Sequence, residues 1–272
     1  MIREKRTLPV GMTLAGVLLF GIFGCEKKEK NDLISLNGRV EKIQRITDAT
    51  GEITVRGRLP RSTNAIFLVE VTRDGARTLA VYKPLRGERP LWDFPPGLYR
   101  REVAAWRLSR ALGWDLVPPT VERREGPYGE GSLQQFVPAD FSRHYFSLRD
   151  EPVHRERLRR ICLFDLLVNN ADRKAGHCLL GLDGRVWAID NALTFHAEPK
   201  LRTVIWDFAG EPIPEPLRAD LERLLAEGPP DDVAALLSRP ERRALTARAR
   251  ELLDHGRFPA DPSGARHPWP LI

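Results

Sequence analysis

DLLVNNADRKAGHCLLGLDGRVWAIDNALTF, residues Asp165 to Phe195, decides how this 272-residue chain is read. It holds two apolar runs, CLLGL and RVWAI, around the turn sequence Leu182-Asp183-Gly184-Arg185, and that spacing predicts a short hairpin. A carboxylate stands at each outer edge. Asp172 follows Asn169-Asn170-Ala171, and Asp190 follows Trp187-Ala188-Ile189. Asp183 needs no more than the turn it sits in. Asp190 is different, because a carboxylate directly after a buried strand must find a partner. The pattern therefore predicts two carboxylates at strand ends, aimed into one cleft.

Upstream of this stretch, RERLRRICLFDLLVNN predicts an amphipathic helix with Leu158, Ile161, Leu163, Phe164 and Leu167 on its apolar face. Downstream come a proline-punctuated loop over 199–216 and helices predicted over 217–226, 231–237 and 240–254, then a loop-like tail. The first half is β in pattern. EITVRGRL, AIFLVEV and RTLAVYKP predict three antiparallel strands joined at PRSTN and TRDGA. The loop LRGERPLWDFPPG leads into LYRREVAAWRLSRALG, a helix stopped by Gly113. LVPPTVERREGPYGEGSLQQFVP predicts a further hairpin with its tip over 126–131. This order predicts an α+β chain with a leader over 1–30, a β-rich N-lobe over 31–138 and a mostly helical C-lobe over 139–272.

A hydrophobic fraction of 42% can bury a substantial core, and a charged fraction of 29% with both signs mixed argues against wholesale disorder. The net charge of +6 suits an anionic partner, but the arginines are scattered along the sequence and no nucleic-acid-binding motif is present. Cys25, Cys162 and Cys178 make neither a disulfide framework nor a zinc motif, and the last two sit in apolar runs. The leader has a basic start, an apolar stretch over 8–23 and then Gly24-Cys25. Three readings stand: a lipoprotein signal acylated at Cys25, an uncleaved anchor giving membrane association through residues 8–25, or a true start farther downstream.

Lys83 closes the third strand among Ala80, Val81 and Tyr82, where an unpaired ammonium is costly. Glu102 is expected in the first turn of the following helix. A lysine and a helix carboxylate in that order suit a pair that holds the lysine against nucleotide phosphates.

With these residues in view, NNADRKAGH followed by AIDNALTF resembles the catalytic and metal-binding loops of the phosphatidylinositol 3-/4-kinase superfamily, most of all a bacterial branch related to it. The resemblance covers roughly residues 50 to 225. It implies a bilobal protein-kinase-like fold and transfer of the γ-phosphate of ATP, with Mg2+ or Mn2+, to a protein or lipid hydroxyl. Asp172 and Arg173 match the catalytic loop, Asp190 the metal-binding aspartate and Lys83 the nucleotide lysine braced by Glu102. Gln135, Phe136 and Val137 match the adenine-side hinge; Arg61, Ser62, Thr63 and Asn64 stand where a phosphate-covering loop belongs. Two departures are visible. His177, five positions after Asp172, replaces an asparagine metal ligand, and magnesium prefers oxygen donors; Asn169 or Asn170 offers an alternative oxygen. Asp-Asn-Ala replaces Asp-Phe-Gly, and the segment after it is short for recognition of an inositol lipid. The chain is thus expected to be an active kinase or a pseudokinase that binds nucleotide without turnover. ATP chemistry expects a cytoplasmic catalytic domain, in conflict with an acylated Cys25.

Overall fold

The structure, a computed structural model, describes residues 50–59 and 62–272. The leader with Cys25, and Arg61 of the phosphate-covering loop, lie outside the described residues. The first half forms a five-stranded antiparallel sheet: β1 (Glu52–Arg58), β2 (Phe67–Arg73), β3 (Ala76–Pro84), β4 (Thr120–Arg123) and β5 (Gly131–Gln135), in the order β1-β2-β3-β5-β4. The β2–β3 turn is Asp74-Gly75, both at positive φ (49° and 77°), the two-residue turn whose twist matches the flanking strands. The expected hairpin tip also holds, between β4 and β5.

β3 has two working faces. Ala80 and Tyr82 are buried with Val69, Val71, Val121 and Leu133 against Trp106. Leu79, Val81 and Lys83 alternate onto the opposite face. There Leu79 and Val81 join Leu59, Ile66, Leu68, Phe136 and Phe141 in a separate apolar cluster. Strand β5 approaches β3 beside the lysine because residue 131 is glycine. A Cβ there would lie 2.3 Å from the Lys83 carbonyl oxygen, a hard clash with backbone.

Between β3 and β4 runs helix α1 (Leu98–Ala111), which ends at Gly113 with φ of 72°. Gly97 starts it in the left-handed region (φ 87°), and the Glu88 carboxylate accepts hydrogen bonds from the Gly97 and Tyr99 N–H groups at 2.9 and 2.8 Å. Glu88 thereby satisfies donors that the first helical turn leaves free.

The second half contains α2 (Tyr145–Leu148), α3 (Pro152–Val168), the hairpin β6 (Cys178–Leu180) and β7 (Val186–Ala188), then α4 (Glu215–Glu227), α5 (Asp231–Ala234) and α6 (Arg239–His255). Its core gathers Leu158, Ile161, Phe164 and Leu167 of α3 with Leu217 and Leu221 of α4 and Leu245 and Leu252 of α6. Ala104, Ala105 and Leu108 of α1 belong to the same core, so α1 is anchored in the helical half while it faces the sheet. Each fully buried leucine contributes about 1.5–3 kcal/mol. Among the described residues, no helix is long and apolar enough to cross a membrane.

Candidate active site

Four of the sequence-predicted residues meet at one point. The Lys83 ammonium donates to Glu102 Oε1, in a close ion pair, and to Asp190 Oδ1 at 3.0 Å. The second Glu102 oxygen accepts from the Asn191 N–H at 3.1 Å. One enclosed carboxylate therefore holds both the lysine and the backbone beside Asp190. Glu102 lies in the second turn of α1, not the first as expected, because Glu88 and Gly97 start the helix at Leu98; no acidic residue occupies its first turn. A helix-dipole explanation for this carboxylate falls away with that placement.

Asp190 follows β7 with φ of 56°, a strained value for a residue with a side chain. The turn carries its carboxylate back between the two halves: Oδ1 to Lys83, Oδ2 3.4 Å from His177 Nε2. His177 ends a single 3-10 turn, Ala175–His177, and its Nδ1 lies 3.0 Å from the Asp172 carbonyl oxygen. Nδ1 also lies 3.4 Å from the Lys174 nitrogen. With the ring proton on Nδ1, donating to the Asp172 carbonyl, Nε2 presents a lone pair to a carboxylate oxygen.

Charge follows from this geometry. Burial alone would lower the Lys83 pKa, but Asp190 and Glu102 together outweigh it and hold the ammonium charged. Burial pushes Glu102 upward, against the pull of Lys83. Burial also opposes ionisation of Asp190, yet the Lys83 ammonium holds its carboxyl well below the usual range. Burial, with the charges of Arg173 and Lys174, drives His177 down to about 4, so the imidazole is neutral at pH 7. Asp172 is raised to about 6, first by burial and then by Asp190, while Lys174, 3.6 Å away, pulls it back.

Asp172 and Asp190 line one cleft of about 360 Å³ with Thr63, Asn64, Arg89 and Trp92. Asn64 is tied down, since its side-chain oxygen accepts from the Arg89 N–H at 2.8 Å. Ser62 is half-buried and lines neither this cleft nor the smaller space beside Lys83, Glu102 and Asn64. Gln135, Phe136 and Val137 also stay off both. The Phe136 N–H donates to the Leu79 carbonyl, and its ring packs into the apolar cluster on the Lys83 face of the sheet. The Gln135 side-chain oxygen is buried with no hydrogen-bond partner.

Arg173, expected at a catalytic contact, is fully enclosed and touches no open space. It donates from Nε and Nη2 to the Asp165 carboxylate at 2.9–3.1 Å, to the Ile189 carbonyl at 2.6 Å and to Asn191 Oδ1 at 2.6 Å. It is a positioning residue that locks the Asp172 loop to both sides of Asp190. Asn169 and Asn170 are likewise spent on the fold. Asn169 caps α3 at φ 56° and bonds to the 196–200 segment; Asn170 receives the Asp172 N–H at 3.0 Å. Neither offers a free oxygen for a metal. The sequence reading missed Asp165, Asn191 and Glu88. Asp165 carried a usable signal, because a carboxylate inside ICLFDLLV has to be paired.

The donor set suits a hard divalent cation. An ionised Asp190 oxygen and a neutral imidazole lone pair face each other, an arrangement a cation between them would satisfy. Among the described residues, no group of three or more histidine, cysteine or acidic side chains is clustered for a metal. Magnesium sites that keep waters and substrate phosphates use only one or two protein ligands.

Protein Rv2133c of Mycobacterium tuberculosis (strain ATCC 25618 / H37Rv) is 43% identical over 263 residues, spanning 82% of this chain and 94% of that protein. No family model matches. Solved structures overlay loosely. The Golgi casein kinase with Mn/ADP bound gives a TM-score of 0.47 at 14% identity, covering 82% of this chain and 78% of that one. The Helicobacter pylori proinflammatory kinase CtkA gives 0.45 at 11%, covering 77% and 94%. Hydra Fam20 with sugar gives 0.45 at 18%, covering 78% and 86%. Overlays at these scores are too loose to assign an activity.

Proposed function

We propose that this chain, which belongs to the family of the Mycobacterium tuberculosis protein Rv2133c, is an ATP-dependent phosphotransferase with a kinase-like division of labour. The observation that carries the reading is the Lys83 ammonium held between Glu102 of α1 and Asp190 of the second half, where Asp190 in turn lines a cleft with Asp172. An ammonium has three donors. Two are engaged, which leaves one for a phosphate oxygen. Glu102 braces the lysine and, through Asn191, fixes the turn that carries Asp190. Asp172 orients the acceptor hydroxyl and takes its proton as the hydroxyl oxygen bonds to the γ-phosphorus and ADP departs. Asp190 and His177 would hold Mg2+ or Mn2+, which, when bound, supplies charge neutralisation at the phosphates. The rate gain comes from positioning and electrostatics, as phosphoryl transfer requires. The acceptor is a protein or lipid hydroxyl. On this reading the likeness of the Asp172-Arg173 and Asp190 loops supports a relation to the phosphatidylinositol 3-/4-kinase-related enzymes, and the use of ATP supports a cytoplasmic cleft.

Thermal melting with ATP and Mg2+ or Mn2+ tests this reading. The wild type is expected to gain several degrees in a metal-dependent way, and Lys83→Ala and Asp190→Ala to lose the gain. No shift in the wild type would defeat the assignment. His177 in a metal position favours a second reading, a nucleotide-binding pseudokinase. Metal-dependent stabilisation without phosphate transfer to any acceptor, the chain itself included, would support that one.

A further inference from the structure

On the helical half, away from the nucleotide cleft, α5 and the outer face of α6 enclose a groove of about 620 Å³. Pro229 and Ala234 form one wall; Arg239, Arg242, Arg243 and Arg250 form the other. No acidic residue lines it. Arginines that look scattered in the sequence fall on one helical face, because positions three, four and eleven apart share a side of an α-helix. Among the described residues, none of the four guanidinium groups has an ion-pair or hydrogen-bond partner. The acid of that turn, Glu241, is withdrawn into the interior, where it pairs with buried Arg101 of α1 and closes the capping box with Ser238.

This placement opposes two local preferences. The first turn of a helix favours negative charge, yet Arg239 and Arg242 sit there and Arg243 follows directly. Like charges at a spacing of three or four residues also destabilise a helix, by about 0.2–0.5 kcal/mol per pair. A polyanion seated in the groove reverses both effects. Guanidinium forks match phosphate oxygens in pairs, which a lysine cluster does not. The groove has no aromatic side chain on which a nucleic-acid base could stack. No exposed large hydrophobic residue lies over 229–250 to enter a bilayer.

We propose that this arginine groove is a docking site for a phosphorylated polypeptide segment, with the phosphates on Arg239, Arg242, Arg243 and Arg250. It does not depend on phosphotransfer at the cleft.

The test is fluorescence anisotropy on the whole chain with a labelled acidic peptide carrying two phosphoserines, beside its unphosphorylated twin. The wild type is expected to bind the phosphopeptide at least tenfold more tightly than the twin, with an affinity that falls steeply as salt rises. Arg242→Glu with Arg243→Glu is expected to remove that binding; Arg77→Glu, on β3, to leave it within twofold. If the double reversal lowers the melting temperature, Arg242→Gln with Arg243→Gln replaces it, with a loss of at least fivefold expected. Three outcomes would overturn the proposal: equal affinity for the two peptides, unchanged binding by the neutralised variant, or tighter binding to phosphatidylglycerol vesicles or a DNA duplex than to the phosphopeptide.

Discussion

Two buried ion pairs, Lys83–Glu102 and Arg173–Asp165, share the same charges and opposite fates. Arg173 and Asp165 are both wholly enclosed, and the guanidinium fork is used up on a carboxylate, a carbonyl and an amide oxygen. Every guanidinium nitrogen is engaged and none faces open space, so the pair specifies geometry. Lys83 keeps part of its surface open, shares two carboxylates and has a donor to spare beside a cavity. Enclosure separates the two: a sealed pair is a rivet, and a pair that opens onto a space keeps a donor for a ligand. The two are joined, because Asn191 touches both, accepting from Arg173 with its side chain and donating to Glu102 with its backbone.

The sharpest way to break the comparison is to damage each pair in turn. Asp190→Asn is expected to lower phosphate transfer at least 10⁴-fold, about 5 kcal/mol of barrier, while the ligand-free chain melts within a few degrees of the wild type. Arg173→Ala is expected to do the reverse in kind. It strands the Asp165 carboxylate in the interior, a cost of about 3–5 kcal/mol, and lowers the melting temperature by roughly 10 °C. Calorimetry and turnover on the same two proteins separate the effects. An Arg173→Ala chain that melts normally would mean the sealed pair is no rivet.

The open pair was legible in the sequence and the sealed one was not. Lys83, Glu102, Asp172 and Asp190 each lie in or just after a periodic segment that announces a strand or helix, so their elements and order could be read. Asp165 lies in the middle of an apolar helical run, and its partner comes only after the helix has ended. Glu241 meets Arg101 from the far end of the chain. Pairings of that kind depend on how helices pack, which local pattern does not encode. Helix starts were hidden for a similar reason: α1 begins where the Glu88 side chain reaches across a loop to cap it. Gln135, Phe136 and Val137 were expected at an adenine-side hinge; the apolar cluster that takes in Phe136 draws on β2, β3 and the segments beside β1 and β5, which only the sheet order brings together.

A smaller effect sharpens the contrast through pH. Asp172 stands raised to about 6, chiefly by burial, above the usual carboxylate value of about 3.9. A raised carboxyl favours the fold while protonated, so its contribution is fully present below about pH 4 and is lost as pH rises through 6. Its side chain is about a third exposed, and solvent reduces the penalty at pH 7 to about 1–2 kcal/mol. Asp172→Asn is therefore expected to melt a few degrees above the wild type at pH 7.5 and level with it at pH 4, while transfer is lost. In the wild type, transfer should rise with pH through about 6 as the group ionises. A flat rate between pH 5 and 7.5 would remove Asp172 from the proton's path.

The smallest expected change concerns His177, whose lone pair faces Asp190 across 3.4 Å. Imidazole tolerates manganese better than magnesium, while an amide oxygen suits magnesium. Asp172 is not disturbed by exchanging His177 for asparagine beyond the loss of one contact at its carbonyl, since its N–H stays with Asn170. His177→Asn should therefore keep the nucleotide site and change its metal preference by a few-fold, about 1 kcal/mol. Thermal shifts with ATP measure this directly: the manganese-to-magnesium ratio of apparent affinities should fall in the variant. If the ratio is unchanged, the imidazole holds no ion. Its role would then be that of Arg173, a group spent on keeping the Asp172 loop in place, and the open side of the comparison would rest on Lys83 and Asp190 alone.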